Sequence, residues 1–73
     1  MPHMTDAQYR HICTSYPQGT RIQLVSTSDP YTKTRPGDKG TVIFVDAQGT
    51  LIVDWDNGTS LNVILREDVI KKL

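Results

Sequence analysis

The feature that most constrains the fold of this chain is an Asn-Gly turn inside LIVDWDNGTSLNV, which runs from residue 51 to residue 63. A two-residue loop of Asn57 and Gly58 would turn Leu61 and Val63 away from the face that carries Trp55. A three-residue loop of residues 56–58, with Gly58 in the left-handed region, places the large apolar side chains of both segments on one face. We therefore predict a structural three-residue turn and the cross-strand pairs Trp55–Thr59, Val53–Leu61 and Leu51–Val63.

The hairpin that precedes this turn predicts an apolar pair on the outside of the sheet. A four-residue turn at 46–49 (DAQG) gives the pairs Val45–Thr50, Phe44–Leu51, Ile43–Ile52 and Val42–Val53. In this register Val42 and Phe44 face the core, whereas Ile43 and Ile52 lie opposite each other on the outer face. Two such side chains left in water would forfeit about 3 kcal/mol, so we expect this interface pair to be covered. The candidates are the N-terminal helix, the tail around Leu73, a second copy or a partner, and cover from the same chain is favoured.

The remaining elements are read from local patterns. Thr5 and Gln8 form a capping-box pattern, and Tyr9, Ile12 and Tyr16 then recur at helical spacing, which predicts a short helix over 6–15 that ends before Pro17. Alternating apolar runs predict strands at 20–25, 39–45, 50–55, 59–63 and 69–73. Because no strands alternate with helices beyond that point, we expect a mainly β fold, a small five-stranded antiparallel barrel over 16–73 behind an N-terminal segment at 1–15. Residues 1–3 read as a remnant of cloning, with Met4 as the natural start.

Composition limits the classes of partner. The 73 residues suit one domain, and 8 basic and 8 acidic residues give a formal charge of zero, so general attraction to nucleic acid is missing and any basic site must be local. The single Cys13 cannot form an internal disulfide. The chain has no charged-then-apolar leader and no apolar run of the ~20 residues that cross a bilayer. We expect a cytoplasmic protein that does not act at a membrane.

Catalytic and metal-binding patterns are weak. A small barrel has little interior beyond its own side chains, so it offers no water-poor cleft for catalysis. His11 and Cys13 lie two positions apart on a short helix and therefore point to different faces. Asp46 and Asp56 lie in turns at opposite ends of one strand, where turn chemistry explains both. We expect a protein that is not an enzyme and that has no cofactor and no metal site.

A combination of short motifs resembles one known family. The motifs are YPQGTR at 16–21, DPY at 29–31, PG at 36–37, GTV at 40–42 and WDNG at 55–58. Together they resemble the domain of unknown function 4314 (DUF4314) family, small proteins of bacteria, phages and mobile elements that are similar to SH3-like barrels. The resemblance covers about residues 16–68 and implies a fold without an activity. The segment at 35–42 is also similar, more weakly, to the glycine-centred turn of KOW modules, which often contact ribosomes, RNA polymerase or RNA.

The long connection at 26–37 (STSDPYTKTRPG) is the candidate binding loop. Tyr31 beside Lys33 and Arg35 offers an aromatic platform with cations, suited to a nucleobase with phosphate or to a Pro-rich peptide. The structural interpretation, which is favoured for these residues taken alone, is a turn in which Pro30 presets the backbone and Tyr31 packs over the barrel mouth. The leading hypothesis is a non-catalytic module that binds a protein partner through this loop. One alternative is KOW-like nucleic-acid binding through Arg21, Lys33, Arg35 and Lys39. The other is a structural protein that self-associates through Ile43 and Ile52. We expect the chain to be a monomer or a homodimer.

Overall fold

The computed structural model describes residues 4–73, and these form one helix and four strands. The elements are α1 (Asp6–Ser15), β1 (Arg21–Ser26), β2 (Lys39–Val45), β3 (Leu51–Trp55) and β4 (Val69–Lys72). The strands form one antiparallel sheet in the order β3-β2-β1-β4. The mainly β fold with a short helix is confirmed. The closed, five-stranded barrel is wrong, because β3 and β4 lie at opposite edges of an open four-stranded sheet. The expectation of a cloning remnant at 1–3 lies outside the described residues.

Helix α1 forms where its capping box predicts it. The Thr5 hydroxyl accepts the Gln8 backbone N–H at 3.1 Å, and the Gln8 side chain accepts the Thr5 N–H at 2.8 Å. These two bonds satisfy donors that have no partner within the first turn. The helix ends at Ser15, and Tyr16, the residue before Pro17, is its C-cap. Ile12 and Tyr16 pack against the core. Among residues 4–73, no helix has the length and apolar character that a bilayer crossing requires.

The core lies on one face of the sheet, which we call the inner face. Its buried apolar side chains come from three strands and from the segment after the Asn-Gly turn: Ile22, Leu24, Val42, Leu51, Val53, Trp55, Leu61 and Val63. On β1 and β3 these residues alternate with exposed or half-buried ones, as expected for strands covered on one side only. Ile12 of α1 and Tyr16 at its C-cap pack against this core, as do Val45, Leu65 and Ile70.

The predicted fifth strand is reduced to a single bridge. Leu51 and Val63 exchange both backbone hydrogen bonds at 2.9 Å, as the three-residue turn predicts. Gly58 has φ +78°, and its N–H donates to the Trp55 carbonyl at 3.0 Å, so the predicted turn is confirmed. The pairs Trp55–Thr59 and Val53–Leu61 do not form. Side chains instead bond to backbone groups that these two pairs would have used. The Trp55 indole N–H donates to the Leu61 carbonyl at 2.8 Å, and the Thr59 N–H donates to the Asn57 side-chain oxygen.

A β-bulge in β2 changes the predicted outer pair. Val42 pairs with Val53 as predicted, but Phe44 pairs with Ile52, and Ile43 is the additional residue between them. The cause is the turn: Val45 pairs with Leu51, so the loop at 46–50 is one residue longer than predicted. The Asp46 carboxylate holds this loop by accepting the backbone N–H groups of residues 48 and 50, each at 2.9 Å.

The bulge also changes which side chains face outward. Phe44, predicted to face the core, is 52% exposed. Ile43 is 41% exposed, and Ile52 is half-buried opposite Phe44 instead of opposite Ile43. The N-terminal helix does not remove this exposure, because its Ile12 packs against the core. An apolar group therefore does lie on the outer face, but it consists of Ile43, Phe44 and Ile52.

Candidate functional site

The candidate binding loop begins as a hydrogen-bonded segment held by one buried carboxylate. Asp68 is 6% exposed and accepts three hydrogen bonds. The donors are the Thr27 hydroxyl at 2.7 Å, the Ser28 N–H at 3.3 Å and the Ile64 N–H at 2.9 Å. Asp68 immediately precedes β4, so it ties the start of the loop to the turn that leads into the last strand. A buried carboxylate that accepts three hydrogen bonds in this way fixes the start of the loop, at Thr27 and Ser28, against the turn before β4.

The end of the loop is held by a second polar cluster, at the Asn-Gly turn. The hydroxyls of Thr34 and Thr59 share a hydrogen bond of 2.7 Å, and Thr34 is 2% exposed. The Asn57 amide donates to Asp38 at 2.9 Å, and the same Asp38 oxygen accepts the Arg35 N–H at 2.8 Å. The turn that was predicted to be structural therefore supports the candidate loop directly.

Tyr31 projects from the middle of this ordered loop. The Asp29 carboxylate accepts the Tyr31 N–H at 2.8 Å across Pro30, which fixes the local turn. The Tyr31 side chain itself is 91% exposed, so the prediction that it packs over a barrel mouth is wrong. Lys33 and Arg35 are exposed on the same loop. An aromatic ring and two cations thus face solvent from a backbone that is already held in place.

Arg21, the first of the predicted cationic residues, is engaged in an ion pair. Its guanidinium donates to both carboxylate oxygens of Asp56, at 2.7 and 2.6 Å, and to the Thr41 hydroxyl at 2.9 Å. The hydrogen bonds from Arg21, followed by its charge and that of Lys39, hold the pKa of Asp56 below its usual value. The same pairing raises the pKa of Arg21. Both side chains remain accessible to solvent, so the pair is a surface feature.

The strand register places the predicted cations in two locations. Arg21 pairs with Thr41 and Gln23 pairs with Lys39, so Arg21 and Lys39 both lie on the face of the sheet opposite the core, which we call the outer face. Lys33 and Arg35 belong instead to the loop between β1 and β2. The four cations of the nucleic-acid hypothesis therefore divide between a sheet face and a loop.

Two outer-face residues are missing from the sequence-based predictions. Lys71 of β4 pairs with Gln23 of β1, which also pairs with Lys39 of β2, so Lys71 and Lys39 lie in one row. Phe44 is turned outward by the bulge. The alternation of β4 gives Lys71 and Lys72 opposite faces, but only the pairing of β4 with β1 places Lys71 beside Gln23. Lys72 shows the alternation directly, because its ammonium lies 4.9 Å from the centre of the Tyr16 ring on the helix side.

One cavity formed by the described residues is small and is lined by none of the residues of the loop. It has a volume of about 110 Å³ and is lined by Met4, Gln48, Gly49, Thr50, Ile64, Leu65 and Arg66. Drug-sized ligands occupy pockets of about 300 Å³ or more. Within residues 4–73 no three His, Cys, Asp or Glu side chains are grouped as metal ligands would be. The half-buried Cys13 is a free thiol on the helix.

Comparison with known proteins gave one result. The model of a family described as a domain of unknown function (DUF4314) matches residues 5–73. This match confirms the resemblance stated from the sequence motifs and extends it to include helix α1. Searches of curated proteins and of solved structures gave no match.

Proposed function

The chain belongs to the DUF4314 family, a domain of unknown function, and on that premise we propose that it is a non-catalytic module that binds a protein partner through the loop at 26–37. One observation carries the proposal: Tyr31 is 91% exposed on a loop whose backbone is already held by Asp68 and Asp38. Tyrosine combines a large contact area with a hydroxyl and has few rotatable bonds. A pre-ordered loop adds little further entropy loss when it binds.

The charges of the loop indicate the chemistry of the partner. Lys33 and Arg35 are exposed within four positions of Tyr31. The nearby Asp29 and Asp38 accept backbone N–H groups of the loop itself. The partner surface that fits is an apolar pocket for the Tyr31 ring, bordered by carboxylates for the two cations.

A protein partner is favoured over nucleic acid for two reasons. The formal net charge is zero, so the long-range attraction that supports non-specific nucleic-acid binding is weak. Arg21, one of the four cations of the nucleic-acid hypothesis, already donates hydrogen bonds to both carboxylate oxygens of Asp56. Breaking that pair to reach a phosphate would reduce the gain from the new contact.

The proposal includes a non-catalytic role, a cytoplasmic location and a bacterial or phage source. The small volume of the cavity and its lining, in which Arg66 is the charged residue, support the non-catalytic role. The cytoplasmic location and the source rest on composition and on the family resemblance.

A comparative pulldown tests the protein-binding proposal. Tagged wild type, Tyr31→Ala, the double variant Lys33→Glu/Arg35→Glu and the control Arg66→Glu would be incubated with lysate of the source organism, and captured proteins quantified by mass spectrometry. We expect at least one lysate protein that wild type and the control capture and that neither loop variant captures. Calorimetry with the purified partner should then show binding at least about tenfold weaker for Tyr31→Ala, or about 1.4 kcal/mol. Equal capture by all four proteins would refute the role of the loop.

The nucleic-acid alternative has its own measurement. Labelled single-stranded and duplex oligonucleotides would be titrated at low salt. Contacts of Lys33, Arg35 and Lys39 with phosphates require binding that weakens with salt at a log-log slope of roughly −0.7 per contact for single strands. Saturable binding with that slope would replace the protein-binding proposal. No saturable binding below about 100 μM would remove the alternative, because non-specific binders commonly reach that range.

A further inference from the structure

The outer face of the sheet is not covered by α1 and carries an ordered pattern of side chains. The register gives one row across the four strands that runs Asp56, Lys39, Gln23 and Lys71. The next row runs Asp54, Thr41, Arg21 and Leu73, in which the Leu73 N–H donates to the Arg21 carbonyl at 3.0 Å. The third contains the exposed Ile43 and Phe44 with the half-buried Ile52.

The charges on this face are separated from one side of the sheet to the other. The anions Asp54 and Asp56 lie on and just after β3, at one edge. The cation Lys71 lies on β4, at the opposite edge, with Lys39 and Arg21 on the strands between. Within residues 4–73 the only ion pair is Arg21 with Asp56. Lys71 and Asp54 therefore have no ion-pair partner within the described part of their own chain.

Exposed apolar residues lie at both ends of this face. Val25 and Val69, 46% and 52% exposed, lie at the end where β4 begins. Ile43 and Phe44 are 41% and 52% exposed at the end of β2 that leads into the turn at 46–50. At the same end of the sheet, on the far edge, Leu73 is 59% exposed just after β4. These apolar side chains contribute no hydrophobic stabilisation while they are exposed to water. Covering the outer face would bury them and so gain that free energy.

We propose that the outer face binds the outer face of a second copy of this chain, through a two-fold axis that runs parallel to the strands. Such an axis stacks β4 of one copy over β3 of the other at the same level along the strands. Lys71 of each copy then lies over the anionic edge of the other, at the row of Asp56 and next to the row of Asp54. Leu73 of one copy then lies one row and one strand away from Phe44 of the other, near the same end of the sheet. The contact is isologous, and every favourable pair occurs twice.

The charge pattern selects this axis over the other two-fold arrangement that stacks the two faces. An axis in the plane of the sheet but perpendicular to the strands would place each strand over the same strand of the second copy. Lys71 would then lie over β4 of that copy and Asp54 over its β3, so like charges would meet at both edges. Like-charge contacts oppose association, and opposite charges favour it.

The size of the face predicts a weak dimer. Four strands about 4.8 Å apart span only about 15 Å between the edge strands. A contact of that size falls at the low end of specific interfaces, below about 1,200 Å² in total. We therefore expect dissociation in the micromolar range and a monomer–dimer equilibrium that depends on protein concentration and salt.

A charge-swap experiment tests the contact. Wild type, Lys71→Glu, Asp54→Lys and the control Arg10→Glu, on the exposed surface of α1, would be studied by sedimentation over about 10 to 1000 μM. Each single outer-face variant places two like-charge pairs in its homodimer and should weaken association at least about tenfold. An equimolar mixture of Lys71→Glu and Asp54→Lys restores two opposite-charge pairs and should form a heterodimer. Arg10→Glu and Tyr31→Ala should associate like wild type.

Two controls make each outcome decisive. Urea unfolding followed by Trp55 fluorescence verifies that both outer-face variants are folded, and heterodimer formation would itself require folded partners. A wild type that stays monomeric up to the highest concentration overturns the proposal. So does a mixture that fails to restore association, because the second copy would then not lie in the stated orientation. Loss of association in Tyr31→Ala alone would assign it to the loop and not to the sheet.

Discussion

Replacing Asp68 by Ala is the sharpest test of how the candidate loop is held. The carboxylate accepts three hydrogen bonds and is 6% exposed, so its removal leaves the Thr27 hydroxyl, the Ser28 N–H and the Ile64 N–H without this acceptor. A hydrogen bond to a charged group contributes about 1.5 to 3 kcal/mol, and a buried donor left unpaired costs about 1 to 3 kcal/mol.

The three contacts share one acceptor group and are not additive, and one of them is long at 3.3 Å. We therefore expect Asp68→Ala to lower the free energy of unfolding by about 2 to 4 kcal/mol. For a chain of 73 residues the total is about 4 to 11 kcal/mol at typical values per residue. The variant should lose a large part of its stability. Asp68→Asn keeps one acceptor oxygen but turns an NH₂ group toward a donor, so its loss should be intermediate.

The assay is equilibrium urea unfolding followed by the fluorescence of Trp55, which is 2% exposed and enters water on unfolding. Glu67→Ala is the matched control, because Glu67 is exposed in the same turn and its side chain holds no loop residue. The control should stay within about 0.5 kcal/mol of wild type. If Asp68→Ala were as stable as Glu67→Ala, Asp68 would not hold the loop, and the pre-ordering behind the proposed function would be refuted.

Three further predictions concern the sheet and the turn that follows β3. The pKa of Asp56 is lowered in the folded protein, chiefly by its hydrogen bonds from Arg21, so the pair stabilises above the unfolded value of about 3.9 and that contribution is lost as pH falls through the folded value. Asp56→Asn should therefore differ most from wild type in its urea midpoint near neutral pH and least in strong acid, and a difference independent of pH would contradict the pairing. Gly58→Ala should cost about 1 kcal/mol, because its φ of +78° is strained for a residue with a Cβ although open space surrounds the site. Gly40→Ala should cost more, about 1 to 3 kcal/mol, because its Cβ would lie 2.7 Å from Val53 Cγ1 in the sheet. Equal urea midpoints for the two glycine variants would show that the sheet yields at Gly40.

Local signals in the sequence determined the elements whose stabilising contacts lie within a few residues. The capping box joins residues three positions apart, and the turn at Gly58 joins its N–H to the carbonyl three positions earlier. The bridge of Leu51 with Val63 followed from alternation on both sides of that turn. The exposed cations of the candidate loop could likewise be selected from composition and loop length. These features depend on backbone sterics and short-range hydrogen bonds, which the residue types themselves specify.

Tertiary structure alone decided the features that join distant parts of the chain. Asp68 holds Thr27 across 41 positions, and this contact makes the loop a defined surface. One additional residue in the turn after β2 produced the bulge that turned Phe44 outward. The Trp55 indole donates to the Leu61 carbonyl, the group that the predicted pair of Val53 with Leu61 would have used, and only the bridge of Leu51 with Val63 remains of the fifth strand. These outcomes depend on which hydrogen bonds and packing contacts the whole chain can form together, and a single segment does not specify them.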